Sequence, residues 1–134
     1  MYFKILPLEE LKEESSSILK IINKNKKNYF GIDEVYCSTL KKDIIKAWKK
    51  HKKMISNILV IKGSIKFVFF NDSFSISKEI ILNEKNKKIL HIRPNVWFGF
   101  KGLSINNSLI NFSNIVHDET EIERKAYNGE YTNF

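Results

Sequence analysis

The residues in this chain that could do chemistry are few and scattered. Its three histidines, His51, His91 and His117, lie far apart, so a shared site would need tertiary assembly. Cys37 is the single cysteine, which excludes an internal disulfide and a paired-cysteine zinc site and fits a reducing cytosol. A glycine-rich phosphate loop, a helical His-Glu-x-x-His pair and a serine nucleophile elbow are all missing from the sequence. What remains is the basic run Lys41 to Lys53, KKDIIKAWKKHKK, which sets cations around Trp48 and His51. His51 has the near-neutral side-chain pKa that suits a general base. Lys49 could act instead if burial and neighbouring cations lowered its pKa.

The faces this run presents depend on its secondary structure. As a helix it gathers Ile44, Ile45 and Trp48 on one side. As a strand it points Lys46, Trp48, Lys50 and Lys52 one way and Ala47, Lys49, His51 and Lys53 the other. The mixture of cations and Trp48 fits a single-stranded nucleic acid, and equally a solvated basic surface.

The elements that must position these residues read mostly as β. Ile58 to Ile61 and Ile65 to Phe70 are β-branched and aromatic runs around Lys62-Gly63-Ser64, which predicts two strands joined by a tight turn or one bulged strand. Phe74, Ile76 and Ile80 to Leu82 predict another strand after the Asn71-Asp72-Ser73 turn. Asn83 to Lys88 reads as a polar hairpin loop. Ile89 to Ile92, Val96 to Phe100 and Leu109 to Val116 complete the set, with Pro94 at a strand end. Short strands at close spacing predict an all-β sandwich or barrel. Leu8 to Ile22 reads as a short helical or irregular N-terminal arm, interrupted by Ser15, Ser16 and Ser17.

Composition bounds the rest. A chain of 134 residues, 43% hydrophobic with ten Phe, builds one domain with a real core and is not intrinsically disordered. The net charge of +8 favours anionic partners, yet 21 of 23 basic residues are lysine beside abundant Ile and Asn, the signature of AT-biased coding. The N-terminal MYFKILPLEELKEESSS lacks a signal-peptide pattern and no long apolar run is present, so the expectation is a cytoplasmic protein without a membrane span.

Five blocks in order carry a resemblance. Glu34 to Ser38, Ile45 to Lys53, Val60 to Ser64, Ile92 to Phe100 and Ser113 to Asp118 resemble the successive blocks of the dTDP-4-dehydrorhamnose 3,5-epimerase family, especially its short single-cupin relatives. The likeness runs from about Val35 to Arg124. It implies an all-β double-stranded β-helix, a jelly-roll cupin, as one domain with its core at about residues 30–125. It further implies a homodimer, an epimerase or isomerase acting on a nucleotide-linked 4-keto sugar of the dTDP type, and a place in cell-surface polysaccharide synthesis. A non-catalytic cupin that binds a sugar nucleotide or serves as a dimeric accessory protein is the alternative.

Residue by residue, the resemblance transfers unevenly. Lys46 stands at the family's diphosphate-binding Arg, keeping the cation without its bidentate fork. Lys49 stands at the catalytic His, with His51 two residues on along the same strand face. Ile110 is nearest to the catalytic Tyr, leaving Tyr36, on an adjacent strand in the family topology, as the candidate acid. Glu34 and Ser38 match a block lining the family's pocket, and Asn57 falls near its pocket Lys. Trp48 and Trp97 are candidate stacking surfaces for base or sugar, whereas Phe98 and Phe100 read as core. Of the cupin metal positions, the first His-x-His motif reads Lys49-Lys50-His51, Ser56 stands near the Glu and Phe98 at the second-motif His, so no metal or other cofactor is expected. Lys46, Lys49, Lys50, Lys52 and Lys53 crowd the block placed at the pocket mouth. That local cluster suits a diphosphate, while a polymer backbone would want a continuous stripe.

Overall fold

Strict alternation of side chains lays down two facing sheets. The computed structural model describes residues 3–75, 77–129, 131 and 134. The first sheet runs in the order β1 (Phe3–Pro7), β9 (Lys88–Ile92), β6 (Ser56–Lys62), β11 (Asn106–Ser113), β4 (Glu34–Lys41). The second runs β12 (Ile122–Arg124), β5 (Ile45–His51), β10 (Trp97–Gly102), β7 (Ser64–Phe70), β8 (Ser77–Asn83). All pairings are antiparallel. The expected jelly roll is the observed fold, and sequential strands repeatedly change sheet.

The core lies between the sheets. Ile58 and Val60 of β6, Leu109 of β11 and Leu90 of β9 meet Ile65, Phe67 and Phe69 of β7 and Phe98 and Phe100 of β10. Removing each such side chain from water contributes roughly 1.5–3 kcal/mol. Phe98 and Phe100 are therefore core residues, as their spacing predicts.

Several local expectations need correction. The N-terminal arm is neither helical nor irregular: β1 pairs with β9, and β2 (Glu9–Lys12) and β3 (Ser17–Lys20) form their own hairpin. The run around Gly63 is two strands joined by a tight corner, not one bulged strand, and β6 and β7 do not pair because they belong to different sheets. Gly63 makes that corner with φ +72°, and a Cβ there would collide with the Asn106 carbonyl and the Asn107 side chain. The polar loop after Asn83 likewise joins strands of different sheets; the hairpin partner of β8 is β7. Ile76 lies outside the described residues.

The basic run is a strand, and an irregular one. Phe98 of β10 pairs with Lys49 and Phe100 pairs with Lys46, so three residues on β5 span two on β10. Gly99 permits this irregularity, since a Cβ there would sit 2.5 Å from the Ala47 Cβ and 2.9 Å from Trp48 Cε3. Lys46, assigned by simple alternation to the face of Trp48, is thereby brought to the face of Lys49 and His51. Beyond β12 the chain continues across the outer face of the second sheet, with Tyr127, Tyr131 and Phe134 packed against the cluster of Trp48, Val68 and Trp97.

Candidate functional site

The site forms where the two sheets part, between edge strand β4 and the β5–β12 pair. On β4 burial alternates, so Glu34, Tyr36, Ser38 and Leu40 face inward while Val35, Cys37 and Thr39 face out. Opposite stand Lys46, Lys49 and His51 of β5. A cleft of about 610 Å3 opens here, bordered by Ser38, Lys46, Lys49, Phe100, Arg124 and Lys125 among others. Lys125 borders the cleft, but its ammonium lies 3.9 Å from the centre of the Phe74 ring in the outer aromatic cluster. Lys46, Lys49 and Arg124 around one concave space, with a serine hydroxyl, make a surface suited to a diphosphate.

One pleat step farther along both walls lies an acid–base group. His51 follows Lys49 on β5, and Tyr36 precedes Ser38 on β4. His51 Nδ1 lies 2.5 Å from Glu121 Oε2, and both residues are buried. The other Glu121 oxygen accepts from the backbone N–H groups of Lys53 at 2.9 Å and Met54 at 2.8 Å. Burial alone would raise the Glu121 carboxyl, but His51 and these two amides hold it below its usual value. An ionised Glu121 accepts a hydrogen bond from the Nδ1–H of His51, which fixes the tautomer and leaves Nε2 with the lone pair. His51 Nε2 is buried and has no hydrogen-bond partner among the described residues.

Burial also lowers the His51 pKa, opposed by Glu121 and reinforced by Lys49 and Arg124. The imidazole is thus neutral, and base-competent, at neutral pH. Lys49 is lowered as well, chiefly by burial and then by Arg124 and Lys46. Its ammonium lies 5.8 Å from the centre of the Phe98 ring. Tyr36 is pushed up by burial, so its phenol stays protonated, and its oxygen accepts from Asn111 Nδ2 at 2.8 Å. The charges of Glu34 and Glu121 push the Tyr36 pKa up further.

The structure thus brings together six of the residues singled out by sequence: Glu34, Tyr36, Ser38, Lys46, Lys49 and His51. Glu34 also accepts from the His117 backbone N–H at 2.9 Å. Trp48 borders the cleft without offering its ring, and Trp97 and Asn57 are placed elsewhere. The Trp48 ring packs edge-on to Phe70 and Phe74 and stacks on Phe134, leaving Trp48 2% exposed and not free to stack on a ligand. Trp97 belongs to the same outer cluster, because it alternates with the inward Phe98. Asn57 faces the outside of the first sheet, bonded to Asn28 at 2.8 Å and to His91 Nδ1 at 3.0 Å. Adjacent Ser56 takes the inward position that Asn57 was expected to fill.

The lysine cluster shrinks too. Lys50 turns to the outer face, where it pairs with Asp72 at 2.5 Å and Glu123 at 3.2 Å, and Lys52 lies 3.8 Å from Glu123. Lys53 joins the site only through its backbone amide. Arg124 and Lys125 replace these three at the cleft, since β12 pairs with β5 and sets Arg124 directly opposite Lys49. Sequence reasoning missed Arg124, Lys125, Glu121 and Asn111. Only Glu121 left a trace, as a carboxylate in a short acidic stretch after Asp118. Ile110 points away from the cleft, and its neighbour Asn111 points in. Among the described residues no group of three or more His, Cys, Asp or Glu side chains is placed to hold a metal ion. No described helix is long and apolar enough to cross a membrane.

A jelly-roll cupin with a cationic cleft leading to a carboxylate-oriented histidine and a protonated tyrosine belongs to the class built for binding an anionic ligand and moving protons. Within that class, the chain belongs to the family described as FdtA: WxcM-like, C-terminal, whose match spans residues 1–134. Solved structures agree in fold. A 3,4-ketoisomerase from Helicobacter canadensis is 26% identical, with 93% of this chain and 92% of that chain covered and a TM-score of 0.82. The sugar 3,4-ketoisomerase QdtA from Thermoanaerobacterium thermosaccharolyticum, solved with TDP, is 24% identical over 92% of this chain and 88% of that one, TM-score 0.80. A dTDP-4-dehydrorhamnose 3,5-epimerase from Elizabethkingia anophelis is 12% identical over 91% and 74%, TM-score 0.80, which links the resemblance read from sequence to the observed fold. No curated protein matches the chain.

Proposed function

We propose that the chain is an isomerase or epimerase acting on a nucleotide-linked 4-keto sugar, by proton transfer that needs no metal. The observation that carries this reading is the buried His51 Nε2, without a partner among the described residues, on an imidazole that Glu121 bonds through Nδ1 one step beyond a cleft lined by Lys46, Lys49 and Arg124.

The chemistry follows from the geometry. Lys46 and Arg124 hold the diphosphate, and Ser38 adds a hydroxyl on the facing wall. The sugar then extends toward His51. A proton on the carbon beside the ketone is acidic because the resulting carbanion is an enolate, and Nε2 of neutral His51 takes it. The ammonium of Lys49, when protonated, stabilises the enolate oxygen electrostatically. When neutral, the same amine is a second base. Tyr36, kept protonated by burial, returns a proton from the opposite wall. Return to the same carbon inverts it; where that carbon carries a hydroxyl, the enolate is an enediolate, and return of the proton to the former carbonyl carbon, with the hydroxyl's own proton passing to the former ketone oxygen, moves the ketone along the ring. Glu34 adjoins Tyr36 on β4 and supports the loop at His117.

The H. canadensis and T. thermosaccharolyticum proteins, described as 3,4-ketoisomerases, support the ketone-moving version, and TDP in the latter supports a thymidine nucleotide. We place the enzyme in cytoplasmic synthesis of cell-surface sugars. A homodimer agrees with the exposed apolar Val35 and Ile61 on the outer face of the first sheet.

The test is incubation with TDP-4-keto-6-deoxyglucose, followed by proton NMR. A second keto sugar or a C3 or C5 epimer accumulating above the enzyme-free control supports the reading. Unchanged substrate, across several nucleotide 4-keto sugars, refutes it.

A further inference from the structure

We infer that Asn111 is a specificity-determining residue that reads a ring hydroxyl of the sugar; this rests on the sugar-nucleotide reading above. Asn111 faces inward on β11, opposite Tyr36 of β4 and Ile58 of β6 in the ladder, and is 2% exposed. Its Nδ2 donates to Tyr36 Oη at 2.8 Å and lies 3.3 Å from Ser56 Oγ. Its Oδ1 is buried without any partner. A buried amide oxygen left unpaired is costly, so such an atom marks a place that something else fills.

Its surroundings say what fills it. The second buried atom on the inner surface without a partner among the described residues is His51 Nε2. Asn111 lies on the inner face of the first sheet and His51 on the inner face of the second, so the two orphaned atoms look into the space between the facing sheets. A pyranose ring between these walls presents a reacting carbon to Nε2 and a hydroxyl to Asn111. A hydroxyl both donates and accepts, so it satisfies the amide in either orientation. Because Asn111 Nδ2 occupies a lone pair of Tyr36 Oη, the phenolic hydrogen is left to point at the substrate. Asn111 thus acts twice: it selects the sugar and aims the acid.

A site built to bond a hydroxyl rejects the analogue lacking it far more strongly than an apolar pocket rejects a missing methylene. The test is titration calorimetry of the full chain with TDP-4-keto-6-deoxyglucose, its 2-deoxy and 3-deoxy analogues, and TDP alone. The wild type is expected to bind one deoxy analogue at least about tenfold more weakly. Asn111→Leu is expected to erase that preference and leave TDP affinity unchanged. Equal wild-type affinities for all three sugars, the outcome if a buried water satisfies Asn111, overturn the inference. So does a preference that survives in Asn111→Leu. If the leucine variant fails to fold, Asn111→Ser, whose hydroxyl is too short to reach, must lose the preference. Binding without turnover refutes the catalytic reading alone; loss of the preference in turnover-competent protein still identifies Asn111.

Discussion

Glu121 Oε2 sits 2.5 Å from His51 Nδ1, and its other oxygen collects the amides of Lys53 and Met54. One carboxylate therefore orients the proposed base and closes the turn that follows β5. Glu121→Gln keeps the shape and removes the charge that holds the Nδ1 proton. Turnover should fall by about tenfold or more while TDP affinity stays unchanged, a kcat effect without a binding effect. Glu121→Ala leaves the imidazole and two buried amides unpaired, and urea melts should show a loss of about 2–4 kcal/mol. Wild-type turnover in Glu121→Gln would remove Glu121 from the mechanism.

The cleft and the outer face contain lysines of different worth. A charge-assisted bond to phosphate contributes about 1.5–3 kcal/mol. Lys46→Ala should weaken TDP binding by about ten- to a hundredfold, and Arg124→Ala by less, because Glu119 already holds the Arg124 guanidinium at 2.7 Å; both should show a shallower dependence on salt. Lys50→Ala should bind TDP like the wild type, since Lys50 already pairs with Asp72 and Glu123 on the other side of the sheet. Calorimetry at two salt concentrations separates the two groups.

Gly99 is the backbone condition for the cationic wall. An added methyl would meet the Ala47 Cβ at 2.5 Å, which neither strand can relieve without shifting. Gly99→Ala should cost about 1–3 kcal/mol by overpacking and should weaken TDP binding, because Lys46 and Lys49 would no longer share a face. A folded Gly99→Ala protein with unchanged TDP affinity would contradict this account of β5.

Stability should fall on the acid side of neutrality. Burial, first among the causes, lowers both His51 and His91; Arg93 and Lys4 lower His91 further. As pH falls below about 6.5 the unfolded chain takes up protons that the folded one refuses, so the equilibrium shifts toward unfolding. The full contribution is present above that pH and is lost below it. Thermal melts between pH 8 and pH 5 should show a falling Tm, with a shallower fall in a His51→Gln, His91→Gln double variant. Parallel slopes would show that other groups carry the effect.

How much of this was legible beforehand differs between strand and site. Period-two patterning in β7, β10 and β11 is strong because each strand has one face in the core, so an all-β sandwich or barrel follows from it, while the jelly roll and the site role of Tyr36 were expected only through the family resemblance. The sheet changes at Gly63 and after Asn83 were not legible, since a corner and a hairpin use the same turn residues. Lys46 was misassigned because a β-irregularity is set by its partner strand, here Gly99, and not by its own residues. Arg124 and Glu121 escaped notice because their value lies in β12 pairing with β5, a contact between segments far apart in sequence. Trp48 misled for a different reason: aromatic residues among lysines look alike whether they await a ligand or a C-terminal segment.

The most direct measurement of the central claim is deuterium incorporation from D2O into TDP-4-keto-6-deoxyglucose, read by mass spectrometry for the wild type and His51→Gln. The account predicts incorporation at a carbon beside the ketone with wild-type protein, reduced by about a hundredfold or more in the variant. No incorporation above the enzyme-free rate, or equal incorporation by both proteins, would contradict it.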